Sequence, residues 1–171
     1  MHEIEGVKIF KFPHTKNDKR GEFTKIFSES VTPYLAIQEI FLSSTKKGMI
    51  RGMHFQTGLY ENNRIIACLD GKVFDVLLDL RPKSRTFLNI YTIELTNKLF
   101  QAVFVPIGVA HGFQSLKKNS KMIYLSDKTY NAAFDTGVNP LSLELKWPMR
   151  VRGISKRDSC LPTLNTFISK L

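Results

Sequence analysis

Residues 63–80 read NRIIACLDGKVFDVLLDL. Two apolar, β-prone runs, 63–69 and 72–80, meet at Asp70-Gly71, a dipeptide that favours a tight hairpin turn. The second run stops at Arg81-Pro82, because proline has no N–H to give a strand ladder. Further on, residues 89–95 alternate as a half-buried strand does. Ile90, Thr92 and Glu94 fall on one side, and Tyr91, Ile93 and Leu95 on the other. Shorter strands are expected at 101–105, 112–116 and 121–125. Helix is scarce, with a short turn near 28–34 and a tail after Pro162. Many short strands at close spacing predict an all-β fold, an antiparallel β-sandwich or jelly roll with few short helices.

The chain of 171 residues fits a single domain, long enough to bury a core without metal or disulfide staples. A hydrophobic fraction of 43% with thirteen phenylalanines indicates a packed globule rather than disorder. No apolar run approaches the roughly 20 residues that cross a bilayer. The N-terminal MHEIEGVKIFKF has no apolar stretch of signal-peptide length. Cys68 and Cys160 lack metal-type spacing and read as reduced thiols, so a cytoplasmic protein with no membrane partner is expected. A formal charge of +10 attracts anions. The lysines are scattered, however, and no nucleic-acid-reading signature or basic run is present. A solvated basic surface, with a few arginines for a ligand phosphate, accounts for that charge.

A jelly roll keeps its interior apolar unless it holds a ligand there, so its histidines mark the chemistry. Arg51-Gly52-Met53-His54-Phe55-Gln56 puts an arginine and a histidine three apart in an extended segment. On a regular strand they point to opposite faces; a glycine kink or bulge at Gly52 can re-aim one of them. An isolated strand histidine is equally a core residue bonded to a backbone carbonyl. In Pro106 to Phe113, a proline and two glycines surround His111 and suggest a turn that delivers it to a cavity.

These segments resemble the paired cupin motifs, through Gly48, His54, Gln56, Glu61 and Gly71 and then Pro106, Gly108 and His111. A metal-binding cupin has a histidine where Gln56 stands. A ligand set of His54, Gln56, Glu61 and His111 is therefore weak for a transition metal. Six further segments carry a narrower resemblance, in order along the chain. They are Asp18 to Phe23, Arg51 to His54, Asp79-Leu80-Arg81 with Ser84 and Thr86, Pro106 to Phe113, Trp147-Pro148, and Ile154 to Asp158. Together, from about residue 7 to 164, they are similar to the dTDP-4-dehydrorhamnose 3,5-epimerase family.

The resemblance implies a cofactor-free, metal-free cupin-like barrel over residues 1–171, usually a homodimer. It would epimerise C3 and/or C5 of a nucleoside-diphosphate 4-keto-6-deoxy sugar, in deoxysugar and surface-polysaccharide biosynthesis. It assigns His54 as general base, Asp158 as the carboxylate orienting it, and Tyr124 as the acid. It puts Arg20, Phe23, Arg51, Gln56, Arg64 and His111 on the substrate. The chemistry suits these types. A neutral imidazole can take a proton alpha to a ketone near neutral pH, and a buried aspartate fixes its tautomer. A tyrosine on the opposite side returns a proton with inversion, while a cation steadies the enolate oxygen. On the residues alone, Asp158 equally caps the turn beside it, Tyr124 is a packing tyrosine, and Trp147 is a core residue.

The chain departs from the family pattern around the substrate. Arg64 stands where the family has lysine, a change of shape as well as size. Glu39 and Phe41 replace a Gln-x-Asn pair, and Lys25 replaces a glutamate. Val138 falls where spacing from Trp147 expects a tryptophan near the nucleotide base. The same reaction on an altered substrate, or at one carbon only, is expected. Two other readings share these residues: a sugar-nucleotide 3,4-ketoisomerase, and a non-catalytic sugar-nucleotide-binding cupin.

Overall fold

The computed structural model describes residues 3–12, 14–27, 35–99 and 101–171. Its strands are β1 (Lys8–Lys11), β2 (His14–Asp18), β3 (Gly21–Lys25), β4 (Glu39–Thr45), β5 (Ile50–Gln56), β6 (Arg64–Asp70), β7 (Lys72–Asp79), β8 (Ile90–Thr96), β9 (Gln101–Val105), β10 (Val109–Ser115), β11 (Ser120–Ser126) and β12 (Asp135–Gly137). Two short helices follow, α1 (Lys156–Ser159) and α2 (Leu164–Ile168). Two five-stranded antiparallel sheets, ordered β1-β9-β6-β11-β4 and β12-β5-β10-β7-β8, form the cupin-like jelly roll, and β2 and β3 form a two-stranded sheet.

The run 63–80 folds as read, with β6 and β7 joined at Asp70-Gly71, but its strands enter different sheets. Each is covered on both faces, which is why neither alternates in polarity. On β6, Ile66 and Cys68 enter the core between the sheets, while Ile65 and Ala67 pack outward beneath Phe12 and Leu35. On β7, Val73 and Leu77 face the inter-sheet core; Val76 and Leu78 face a second cluster with Leu143, Trp147 and Phe167. The C-terminal segment thus roofs one sheet and the N-terminal segment the other. Tyr91, Ile93 and Leu95 of β8 join the inter-sheet core, as their alternation indicated.

Some boundaries differ from the sequence reading. β10 begins at Val109, not at 112, because the Pro106–Gly108 turn leads straight into the ladder with β7. β1 to β4 and β12 lacked a strong alternation signal. The turn expected at 28–34 lies outside the described residues. Trp147 is a core residue, edge-on to Phe74 with ring centroids 6.0 Å apart. Val138, which stands where the family pattern expects a tryptophan, is fully buried in the same cluster. It is a ladder residue, bonded through its N–H and C=O to Met53, and its side chain belongs to the core.

The Asp79-Leu80-Arg81 segment with Ser84 and Thr86 is a strut. Asp79, fully buried, accepts from the Arg81 backbone N–H and guanidinium and from the hydroxyls of Ser84 and Thr86, four of these bonds at 2.7–3.1 Å. Burial alone would raise its pKa, but these donors hold it down to about 2. Its folded value lies below its unfolded one, so the stability it contributes is complete above about pH 4. That contribution is lost as pH falls towards 2. Asp79→Asn should therefore cost roughly 2–3 kcal/mol in urea unfolding at neutral pH. The deficit relative to the parent should shrink through this acid window.

Candidate active site

Alternation carries a small set of polar side chains into the barrel. Arg64 shares the inward parity of Ile66, Asp75 that of Val73 and Leu77, His111 that of Phe113, and Tyr124 that of Met122. Arg64, His111 and Tyr124 line one cavity of about 590 Å³, of the size that holds a metabolite-sized ligand, and Asp75 stands behind His111. His54 and Arg51 of β5 reach the same cavity.

The three-residue separation of Arg51 and His54 is resolved at Gly52. Opposite β10, His111 pairs with His54 and Phe113 with Arg51, so β5 carries one extra residue in this interval. Gly52 has φ +118°, and a Cβ there would sit 2.4 Å from the Gly112 Cα. Both strands need glycine at this crossing. The bulge turns Arg51 and His54 onto one face.

His54 Nε2 donates to Asp158 Oδ1 at 2.9 Å. The other oxygen of Asp158 accepts from the Gly52 N–H at 3.2 Å. Asp158 is buried inside α1, whose N-cap is Ser155, so it does not cap that helix itself. Burial would raise its pKa, but the His54 bond and charge, with Ser155 and Gly52, bring it below the ordinary value. The carboxylate can only accept, so the His54 proton sits on Nε2 and the Nδ1 lone pair is left for the cavity.

A second dyad stands beside the first, where His111 Nε2 donates to Asp75 Oδ2 at 2.7 Å. Both residues are buried, and Asp75 Oδ1 has no partner. Arg64 extends a guanidinium into the interior, and its Nη2 donates to the carbonyls of His54 and Val109 at 3.2 and 3.3 Å. Its buried Nε has no partner. Burial pushes its pKa down, and Tyr124, Asp135 and Asp75 oppose that shift. Tyr124 lies on the facing sheet, 7% exposed. Its ring is stacked on Phe41 and edge-on to His111, and its hydroxyl lies 3.5 Å from Ser43 Oγ.

The remaining expected residues fall in three ways. Arg51 lines the cavity with its Nε fixed on Thr45 Oγ1 at 2.8 Å, so its guanidinium is aimed along β4. Gln56 is committed to the loop above it; its amide donates to the Tyr60 and Thr129 carbonyls and accepts from the Asn131 N–H. Arg20 and Phe23 lie on the β2–β3 hairpin, outside this chain's cavity, with Arg20 paired to Asp18 and Phe23 63% exposed. Glu61 is exposed and away from the cavity, so the cupin ligand set does not assemble. Among the described residues, no three His, Cys, Asp or Glu side chains are grouped to hold a metal ion.

Sequence reasoning missed Asp75 and the mouth of the cavity, where Asp135 pairs with Arg157 and accepts from the Tyr130 hydroxyl at 3.0 Å. An acid in the otherwise apolar run KVFDVLL was the available signal for Asp75. The mouth residues come from a loop, the start of β12 and helix α1, and left none.

The fold and cavity define a cupin-like jelly roll with ionisable groups gathered inside its barrel. The dTDP-4-dehydrorhamnose 3,5-epimerase family matches residues 1–166, and this chain belongs to that family, an isomerase of the epimerase kind. It is 32% identical to the dTDP-4-dehydrorhamnose 3,5-epimerase of Escherichia coli over 174 aligned residues, covering 97% of this chain and 94% of that one. It is 33% identical to the dTDP-4-dehydrorhamnose 3-epimerase of Streptomyces niveus, covering 91% and 78%. Its fold is similar to the crystal structure of a 4-keto-6-deoxy sugar epimerase from the novobiocin gene cluster of Streptomyces spheroides. The TM-score there is 0.92, with 29% identity and coverage of 99% and 88%.

Burial pushes the Tyr124 phenol up to about 12, more than the Ser43 bond and the nearby Arg64 and Arg51 charges lower it. An ultraviolet titration should show a tyrosine that stays protonated beyond pH 10. That late component should vanish in Tyr124→Phe.

Proposed function

We propose that this chain inverts C3 and/or C5 of a nucleoside-diphosphate-linked 4-keto-6-deoxy sugar, in deoxysugar biosynthesis. The observation that carries this reading is the opposition of His54, backed by Asp158, and Tyr124 across one cavity, from facing sheets. A sugar ring between them presents one face to each.

In the proposed reaction, His54 Nδ1 takes the proton from the carbon beside the ketone. The C–H electron pair moves into an enolate whose charge collects on the former carbonyl oxygen. Asp158 stabilises the imidazolium that results. Arg64 supplies positive charge and an unpartnered buried N–H for the enolate oxygen, in a setting where water competes little. The Tyr124 hydroxyl then protonates carbon from the other face. Both groups regain their starting protonation from solvent, so atoms balance and no electron acceptor is required. Arg51 at the mouth suits the diphosphate.

A homodimer is part of this reading. The edge strand β4 exposes Ile40 and Leu42, 57% and 64% accessible, on the side away from the cavity, a surface that a second copy would cover. The free thiols of Cys68 and Cys160 fit a reducing, cytoplasmic setting. Among the described residues, no helix is long and apolar enough to cross a membrane.

Incubation in heavy water with nucleoside-diphosphate 4-keto-6-deoxy sugars, followed by NMR, tests the chemistry. Deuterium should enter at C3, C5 or both without added metal or cofactor. His54→Asn should slow this at least ~100-fold, the usual contribution of a general base. Tyr124→Phe should keep exchange on the base side while losing inversion. A carbonyl that moves to C3 would instead establish a ketoisomerase, and binding without exchange a non-catalytic protein.

A further inference from the structure

We propose that Phe41 restricts the reaction to inversion at one of the two carbons flanking the ketone, by holding the Tyr124 ring in a single position; this rests on the epimerase reading above. Phe41 and Tyr124 are direct cross-strand partners in the β4–β11 ladder. Their rings stack with centroids 4.6 Å apart and planes only 7° from parallel. The register therefore makes the stack, since directly opposed side chains on one sheet face are nearest neighbours.

Tyr124 is constrained elsewhere too. The His111 ring meets it edge-on at 5.9 Å, with the planes 68° apart, and His111 is itself anchored on buried Asp75. Ser43, two residues along β4 from Phe41, stands 3.5 Å from the phenol oxygen. The ring is held on its face, its edge and its tip. The hydroxyl lies on the Cβ–Cγ axis and moves only by a turn about Cα–Cβ, which would carry the ring off the Phe41 stack.

The substrate supplies the other half of the argument. C3 and C5 lie on opposite sides of the carbonyl carbon, so one acid serves both only if its hydroxyl swings or the sugar shifts between steps. A pinned phenol removes the first option. Phe41 hinders the second, because it lines the cavity beside the acid. Its ring offers a sugar hydroxyl neither donor nor acceptor. The resemblance places an amide at this position, so the wall beside the acid is a property of this chain.

The test is product stereochemistry, read from ring proton couplings, for the parent and for Phe41→Leu, Phe41→Ala and Phe41→Tyr. The parent should invert one carbon. Leu and Ala remove the flat ring, and should raise the rate of second-carbon inversion relative to the first at least tenfold. Tyr keeps the stack and should retain single inversion. Slow flipping of the Tyr124 ring in the parent's NMR spectrum, faster in Phe41→Leu, would support the clamp independently of turnover. Comparable inversion of both carbons by the parent would overturn the inference and leave the epimerase reading intact. An unchanged ratio in Leu and Ala would overturn it as well. Absence of turnover by the parent on every sugar would instead remove the epimerase reading on which it rests.

Discussion

The crossing of β5 over β10 at Gly52 and Gly112 governs the rest of the site. There the two strand backbones come so close that neither glycine tolerates a Cβ: one on Gly52 would meet Gly112, and one on Gly112 would lie 2.8 Å from the Arg51 carbonyl oxygen. The extra β5 residue at this crossing lets His54 face inward together with Arg51. It also leaves the Gly52 N–H free to donate to Asp158, so the kink that aims the base also fixes its carboxylate. Bulges that re-aim side chains beside functional sites are a recurring device of sheets.

Around this crossing, the barrel divides between an apolar and a polar end without changing the alternation of its strands. β6, β7, β10 and β11 bring Arg64, Asp75, His111 and Tyr124 to the polar end and otherwise supply core residues. Burying Asp75, His111 and Arg64 together is tolerable because they hydrogen-bond to one another's strands and carry opposite charges. Of the three buried side-chain atoms without a protein partner among the described residues, Arg64 Nε and Asp75 Oδ1 lie in this same polar cluster, and Trp147 Nε1 lies in the cluster behind the other face of β7. Unsatisfied buried polar atoms are costly, and their concentration beside a ligand-sized cavity is what a binding site would produce. The outer faces are closed by chain on both sides, which leaves β4 as a sheet edge with apolar side chains toward solvent.

Much of this was legible beforehand. Asp70-Gly71 marked the β6–β7 turn, and Tyr91, Ile93 and Leu95 marked the buried face of β8, because turn chemistry and strand period are local properties. His54, His111 and Gly52 stood out because histidine and glycine are rare within strands unless aim or close approach requires them. Asp75 is hidden in an apolar run, and an offset counted back from Trp147 does not say that the Val138 side chain points into the core. Gln56 lines the cavity, yet its amide also bonds the backbone of Tyr60, Thr129 and Asn131, partners that its residue type does not disclose.

The sequence by itself determined the strand-rich class, the principal turn, and the residue types that proton transfer needs, since each depends on neighbours within a few positions. It also carried the family, through motifs kept in order. Only the tertiary structure decided which partners those residues have. Asp158 reaches His54 across 104 positions of chain, Asp75 reaches His111 across 36, and Phe41 lies on Tyr124 through a ladder between distant strands. Such pairings are set by register and sheet packing, which sum over the whole fold and leave no local trace.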